Sequence, residues 1–297
     1  MPRNTSEKVP AGAMLLRTYA ELEREYDAFA HGERNLLIVV GPPGTAESTA
    51  GRRVLGGDAR FIEGGATPYR LYMDLYRHRD RPVVLDDADK VFRNRDGVFL
   101  LKLLTQTEAV KTLQWNSNAA EIRAGELPAE FTTTSRVLVV ANSWQRDNPD
   151  IASIESRGHL YYFAPPFAEI HRHAKTFVSD DEVYRFVGDH LPLFARLDLR
   201  LYGKATEVKA TGVRTGRPDL WQEYVRSHFA DDTRRVLLEL LRSPDFDSDH
   251  LRAAKFRELT GKSERTFYRS RQDLVGRLGE AVVNACQTVG PVVPATV

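Results

Sequence analysis

Two short stretches of this chain have the residue types and spacing to handle phosphate and metal, and a third is suited to nucleic acid. The first is Gly41-Pro42-Pro43-Gly44-Thr45-Ala46-Glu47-Ser48-Thr49, directly after the apolar run Leu36-Leu37-Ile38-Val39-Val40. A strand, a glycine loop and a helix N-terminus in that order point backbone N–H groups at a phosphate, with a serine or threonine hydroxyl placed for a divalent cation. The second is Asp86-Asp87, which ends the run Val83-Val84-Leu85. A buried strand delivering two adjacent carboxylates suits Asp86 to hold Mg²⁺, with Ser48, and Asp87 to orient or deprotonate an attacking water. The plain alternative is an Asp-Asp turn closing a strand.

One position works against that chemistry. Loops of the form GxxxxGK, followed by Ser or Thr, carry glycine and lysine where Ala46 and Glu47 stand. The lysine normally lays positive charge on the β- and γ-phosphates. A carboxylate there turns attraction into repulsion, roughly 4 kcal/mol per unit-charge pair at ~4 Å and an effective dielectric near 20, before solvent and Mg²⁺ reduce it. Arg52 and Arg53 follow on the same helix and are expected to point away from the phosphates. ATP is therefore expected to bind poorly and to be hydrolysed hardly at all. Glu47 is either an introduced substitution in an otherwise complete ATPase or the mark of a natural pseudo-ATPase, and the complete set of partner residues favours the first.

The elements that must position these residues follow from the periodicity. An amphipathic helix over Tyr19–Phe29 leads into the first strand. Later apolar runs at Arg60–Ile62, Pro82–Leu85, Arg136–Val140 and His159–Phe163 alternate with helical patterns, which predicts an α/β fold with a mostly parallel sheet covered on both faces. Gly97–Glu108 has helical spacing, and Lys111–Asn116 reads as an extra strand or hairpin. Pro165-Pro166 ends the sheet domain. Helical patterns over 168–177, 181–191 and 197–211 follow, and after Gly212–Pro218 three more run over 232–242, 249–260 and 263–278.

At this point the chain resembles the AAA+ ATPases over most of residues 15–215. The loop Gly41–Ala46 with Ser48-Thr49 is similar to those of MoxR-type and minichromosome-maintenance members, where alanine commonly replaces the second glycine. The resemblance implies a P-loop AAA+ core of three layers and a helical lid. It implies nucleotide contacts from Gly41, Pro42, Pro43, Gly44, Thr45, Ala46, Glu47, Ser48 and Thr49, with ATP and Mg²⁺ as cofactors. Asn142, after the strand Val137–Val140, matches the polar sensor 1 residue that positions the lytic water. Arg157, after Ser156, looks like the arginine finger that completes a neighbouring subunit's site. Arg200, in Leu199-Arg200-Leu201-Tyr202, matches sensor 2, which touches the γ-phosphate from the lid. Each also has a plainer reading: a strand-closing turn for Asn142, a surface loop for Arg157, and a pairing on its own helix for Arg200.

The third stretch is basic. Between His250 and Arg277 there are eight Lys or Arg against three acids. Gly261-Lys262 separates two helical patterns, so the segment resembles a helix-turn-helix DNA-binding module. Ser263 suits the N-cap of the last helix, and Phe267, Leu274 and Leu278 form its inward stripe. Lys262, Ser263, Arg265, Thr266 and Arg269 are the candidate DNA contacts, with Gln272 also outward. A solvated basic helix packing on the lid or on a partner is the alternative. Trp115 reads more readily as core packing than as a base-stacking residue on a pore hairpin.

Composition sets the remaining bounds. The 297 residues, 42% hydrophobic and 28% charged, are an ordinary globular mixture long enough for two or three units. The single cysteine, Cys286, excludes an internal disulfide and argues against a cysteine-built zinc site. No apolar run is long enough to span a membrane, and the first residues lack a signal-peptide core, so a cytoplasmic protein without a membrane partner is expected. The domains expected are a nucleotide-binding domain over 13–166, a helical lid over 167–222, a helix-turn-helix-like DNA-binding domain over 223–285, and a tail over 286–297. The expected activity is ATP-driven assembly, as a homo-oligomeric ring or filament, on DNA or on a nucleoprotein partner that it remodels. A non-catalytic DNA-binding adaptor and a protein-remodelling chaperone with a protein partner are the alternatives.

Overall fold

The structure is a computed structural model that describes residues 9–65, 67–115, 120–144, 149–230, 232–243 and 245–278. The expected tail over 286–297 and the lone Cys286 lie outside the described residues. The chain divides into two compact units, 1–164 and 165–297.

The first unit contains β1 (Met14–Leu16), α1 (Tyr19–Ala30), β2 (Leu36–Val40), α2 (Glu47–Leu55), β3 (Arg60–Glu63), α3 (Pro68–Arg77) and β4 (Val83–Asp86). It continues with α4 (Asp89–Arg93), α5 (Arg95–Leu104), β5 (Lys111–Gln114), α6 (Ala120–Arg123), β6 (Glu130–Thr133), β7 (Val137–Ala141), α7 (Pro149–Glu155) and β8 (His159–Phe163). Six strands form one sheet in the order β1-β8-β2-β7-β4-β3, every pair parallel, while β5 and β6 form a separate antiparallel pair. The α/β fold with a parallel sheet flanked by helices is thus as expected. The strand order places β2 between β8 and β7, and all five of its residues are buried. Buried on both faces, such a strand reads as a continuous apolar run rather than an alternating one.

Local signals account for the element boundaries. Thr18 and Glu21 form a reciprocal capping box on α1, with Glu21 N–H donating to Thr18 Oγ1 at 3.1 Å and Thr18 N–H to Glu21 Oε2 at 3.0 Å. Asn94 accepts from the N–H groups of Asp96 and Gly97 and starts α5 at Arg95, two residues before the helical spacing becomes visible. The edge strand β1 is a departure from expectation, its run Met14-Leu15-Leu16 not having been read as a strand. The extra hairpin is present as β5 and β6. Its aromatic residues pack on a stripe along α3: Tyr72 meets Phe131 at 5.1 Å and Trp115 at 5.7 Å, Tyr76 meets Phe131 at 5.3 Å, and Tyr69 meets Trp115 at 5.7 Å. Trp115 is therefore a packing residue. The hairpin base is pinned by Lys111, 1% exposed, whose Nζ donates to Asn35 Oδ1 at 2.6 Å and to Ser135 O at 2.9 Å.

The second unit is helical: α8 (Phe167–Ala174), α9 (Asp181–Asp189), α10 (Arg200–Arg214), α11 (Leu220–Arg226), α12 (Asp232–Arg242), α13 (Asp249–Thr260) and α14 (Glu264–Leu278). α10 starts at Arg200 rather than at 197 because Asp198 Oδ1 accepts the Leu201 N–H at 3.1 Å and holds the preceding residues outside the helix. α11 runs across residue 222, where the lid was expected to end. α13 closes on Gly261 in the left-handed conformation, φ +68°, which glycine adopts without a Cβ penalty. Among the described residues no helix is long and apolar enough to cross a membrane.

Candidate functional site

The sheet order assembles the site. β2, β7 and β4 are neighbours in register, with Val40 opposite Ala141 and Asp86 opposite Val140, so their C-terminal ends lie side by side. Gly41 N–H donates to Ala141 O at 3.2 Å and Asp87 N–H to Val140 O at 3.1 Å, which carries the loop after β2 and the turn after β4 to one rim. In open parallel sheets that rim is where ligands bind.

Gly41–Ala46 form the loop and α2 begins at Glu47. Ala46 adopts φ +65°, a conformation costly for a residue with a Cβ, and the Thr45 hydroxyl braces the turn by donating to Pro42 O at 2.7 Å. The Glu47 side chain does not leave the loop. It is 8% exposed, and its Oε1 lies 2.6 Å from Thr45 Oγ1, so that the single hydroxyl proton is shared between Pro42 O and the Glu47 carboxyl. A Cβ added at Gly41 would lie 2.2 Å from Glu47 Oε1 and 2.9 Å from Phe163 O, so the carboxyl fills the space that the glycine leaves. Burial, with Asp86 and Asp87 adding to it, raises the Glu47 carboxyl to about 7, against the lowering pull of the Thr45 hydroxyl and of its own backbone N–H. Beneath it the buried Tyr26 phenol is pushed well up, by burial first and then by the charges of Glu47 and Asp86.

Ser48 and Asp86 meet directly, Ser48 Oγ donating to Asp86 Oδ1 at 2.7 Å. Beside them Asn142 Nδ2 donates to Asp87 Oδ1 at 2.7 Å, and Asp87 sits at φ +52°. Backbone strain of this kind, held by surrounding structure, accumulates where a side chain must point in one direction. Pro42, Pro43, Gly44 and Ser48 are half-buried and Thr49 is exposed. The two arginines after the loop are committed elsewhere: Arg52 pairs with Glu63 and lies over the Phe61 ring at 4.4 Å, and Arg53 pairs with Glu23.

The structure thus brings together residues 41–49, Asp86, Asp87 and Asn142. Two other candidates have the following surroundings within their own units. Arg157, between α7 and β8, donates from Nη1 to Lys102 O on α5 at 2.7 Å, a carbonyl near that helix's C-terminus. Arg200 is exposed in the first turn of α10 in the second unit. The residue chemistry of the metal pair fits a divalent cation, since a serine hydroxyl and a carboxylate oxygen converge as hard oxygen donors. In the loop as it stands a carboxyl oxygen, that of Glu47, occupies the place where a Cβ at Gly41 would be.

Of the candidate DNA residues, Lys262 and Ser263 lie in the turn between α13 and α14, and Arg265, Thr266 and Arg269 lie in the first half of α14. Lys262 bonds through Nζ to the Thr233 hydroxyl, Ser263 Oγ and Thr266 Oγ1 lie 3.0 Å apart, and Arg265 and Arg269 are exposed. Phe267 and Leu274 are buried as expected; the Leu278 side chain lies outside the described residues. Tyr268, 45% exposed beside Arg269, was not among the candidates.

The chain matches no protein-family profile, and no curated protein matches it by sequence. Among solved structures it is similar to NtrX from Brucella abortus in complex with ATP, at 12% identity and a TM-score of 0.46 over 86% of this chain and 67% of that one. It is also similar to Drosophila ORC bound to DNA, at 14% identity and a TM-score of 0.34 over 93% of this chain and 80% of that one.

Proposed function

We propose that the chain is an ATPase of the AAA+ class, built to couple nucleotide binding and hydrolysis to assembly on DNA, or on a nucleoprotein partner that it remodels, and that Glu47 impairs both steps in the chain as written. The observation that carries this reading is the paired geometry at the rim, Ser48 on Asp86 and Asn142 on Asp87, each at 2.7 Å. A strand-closing turn requires neither contact.

In this reading Ser48 and Asp86 hold Mg²⁺, which supplies charge neutralisation at the phosphates when bound. Asn142 fixes the orientation of the Asp87 carboxylate, and Asp87 faces water. Glu47 opposes the binding of any phosphate at α2, both by its charge and by filling the space beside Gly41. Arg157 serves a neighbouring copy of the chain, and to do so it must leave Lys102 O. The 262–269 segment contacts DNA.

The test compares fluorescent-ATP binding and nucleotide-dependent assembly of the chain with those of its Glu47→Lys version. A gain of at least tenfold in affinity, equivalent to about 1.4 kcal/mol, is expected on substitution. Equally weak binding by both would defeat the reading. The burial of Glu47 within its own loop favours one second reading, a DNA-binding adaptor that uses the fold for assembly alone. Salt-dependent DNA binding indifferent to nucleotide, even after Glu47→Lys, would favour it.

A further inference from the structure

The N-terminal ends of the parallel strands form a second rim, at the opposite end of the strands from residues 41–49. Backbone hydrogen bonds run across it: Arg60 N–H donates to Pro82 O at 2.7 Å, Val83 N–H to Arg136 O at 2.8 Å, and Val137 N–H to Asn35 O at 2.9 Å. An arginine stands at the start of each of these strands or within two residues before it: Arg60 for β3, Arg81 for β4, Arg136 for β7 and Arg34 for β2. Three of them are committed within the first unit. Arg60 pairs with Asp74 at 3.0 Å, Arg136 Nη2 donates to Ala30 O at 3.1 Å, and Arg34 lies 3.5 Å from Glu25.

Arg81 is different, and it is not alone. Arg77 ends α3, and Arg79 and Arg81 follow in the turn to β4; all three are exposed, and none has an acidic partner among the described residues. The one acid of the turn, Asp80, is engaged elsewhere. Its Oδ1 accepts from Thr134 N–H at 2.8 Å and from Thr134 Oγ1 at 3.0 Å, and its own N–H donates to Thr133 Oγ1 at 3.2 Å. Asp80 sits at φ +72°, uncommon for a residue with a Cβ. These contacts hold the turn in one shape and draw its acid away from the arginines on either side. Arg79 is steadied as well, its guanidinium 4.8 Å from the Tyr76 ring, which packs on Phe131. A cation in the last turn of a helix gains from the helix dipole, which accounts for Arg77. That effect fades within one turn and gives no reason for Arg79 and Arg81. A face that needed only solubility would do as well with lysine, whereas arginine's planar fork pairs two N–H groups with two oxygens of one phosphate.

We propose that Arg77, Arg79 and Arg81 form a second binding site for DNA, on the first unit, which takes phosphates of the sugar-phosphate backbone without regard to sequence. Asp80, through Thr133 and Thr134, is its positioning residue. That the polyanion is DNA rests on the reading above; the site itself is independent of the 262–269 segment. A repeating row of phosphates suits three forks within five residues, because neighbouring anions of one strand are then met by neighbouring side chains of one rigid turn.

The experiment measures duplex binding across a salt series for four full-length proteins. They are the chain itself, a rim variant (Arg77→Gln, Arg79→Gln, Arg81→Gln), a C-terminal variant (Arg265→Gln, Arg269→Gln) and the two variants combined. Each phosphate contact adds about 0.9 to the salt slope, so the rim variant is expected to lower it by about 3. The C-terminal variant should keep a salt-dependent part of the binding that the combined variant loses. All five side chains are exposed, so urea melts of the four proteins should superimpose. Asp80→Ala removes a negative charge yet frees the turn, and it is expected to bind DNA more weakly than the parent. Tighter binding by Asp80→Ala would overturn the fixed geometry on which the site depends. An unchanged slope in the rim variant, or loss of all binding in the C-terminal variant, overturns the rim site while the DNA reading of 262–269 stands. Displacement of duplex from the C-terminal variant by polyglutamate as readily as by unlabelled duplex would assign the rim to an acidic polypeptide and overturn it as a phosphate site. Failure of the intact chain to bind any duplex at low salt overturns both DNA sites.

Discussion

Thr45 and Glu47 are hydrogen-bonded across the turn that leads from the 41–46 loop into α2, hydroxyl to carboxyl at 2.6 Å, with the carboxyl set against Gly41. A glutamate at a helix N-terminus is ordinarily a surface residue that gains from the helix dipole. Here the loop encloses it, and a charge that would be favourable in water is held among Asp86 and Asp87.

That enclosure makes stability depend on pH. The folded-state value of about 7 lies above the ordinary 4.5, so the folded chain holds the proton more tightly than the unfolded chain does. Stability from this group is full below pH 4.5 and is lost as pH rises through 7. Glu47→Gln removes the dependence. It should match the parent near pH 4.5 and exceed it by about 3 kcal/mol at pH 8. Urea melts of both proteins at the two pH values check this, and a difference that stays constant with pH would contradict it.

Gly41 and Glu47 should be energetically coupled. Gly41→Ala places a methyl group on Glu47 Oε1 and on the Phe163 carbonyl, and should cost about 1–3 kcal/mol. In a Glu47→Ala background part of that cost should disappear, because one of the two obstructions is gone. A double-mutant cycle with no coupling would show that the carboxyl sits elsewhere in solution.

Lys111 is the buried tie between the hairpin and the sheet. Burial, with the nearby charge of Arg136 adding, lowers its pKa, and its ammonium group satisfies Asn35 Oδ1 and Ser135 O. Lys111→Ala strands both acceptors and should destabilise the first unit by about 2 kcal/mol. Chemical denaturation of the full chain measures the loss, and a change near zero would remove Lys111 from that role.

Asn142 should matter for turnover and not for binding. In the Glu47→Lys background, Asn142→Ala frees the Asp87 carboxylate and should lower ATP hydrolysis about 100-fold with nucleotide affinity nearly unchanged. An equal fall in affinity would assign Asn142 to binding instead.

The sequence by itself determined the alternation of β-strands and helices, the loop at 41–49, the acidic pair at 86–87 and the three C-terminal helices. These are local signals: apolar period, caps and turn residues within a few positions of one another. The helix over 249–260, for example, begins at the Ser248 cap and stops at Gly261, both legible in the chain. Only the tertiary structure decided what depends on long-range pairing. The order β1-β8-β2-β7-β4-β3 brings Ser48 to Asp86 and Asn142 to Asp87, pairs 38 and 55 residues apart in the chain. It also decided that Arg157 reaches back to α5 and that Glu47 turns inward rather than out to solvent. Periodicity specifies which face of an element is buried, but the direction of a single polar side chain follows from the space and partners that distant segments leave it.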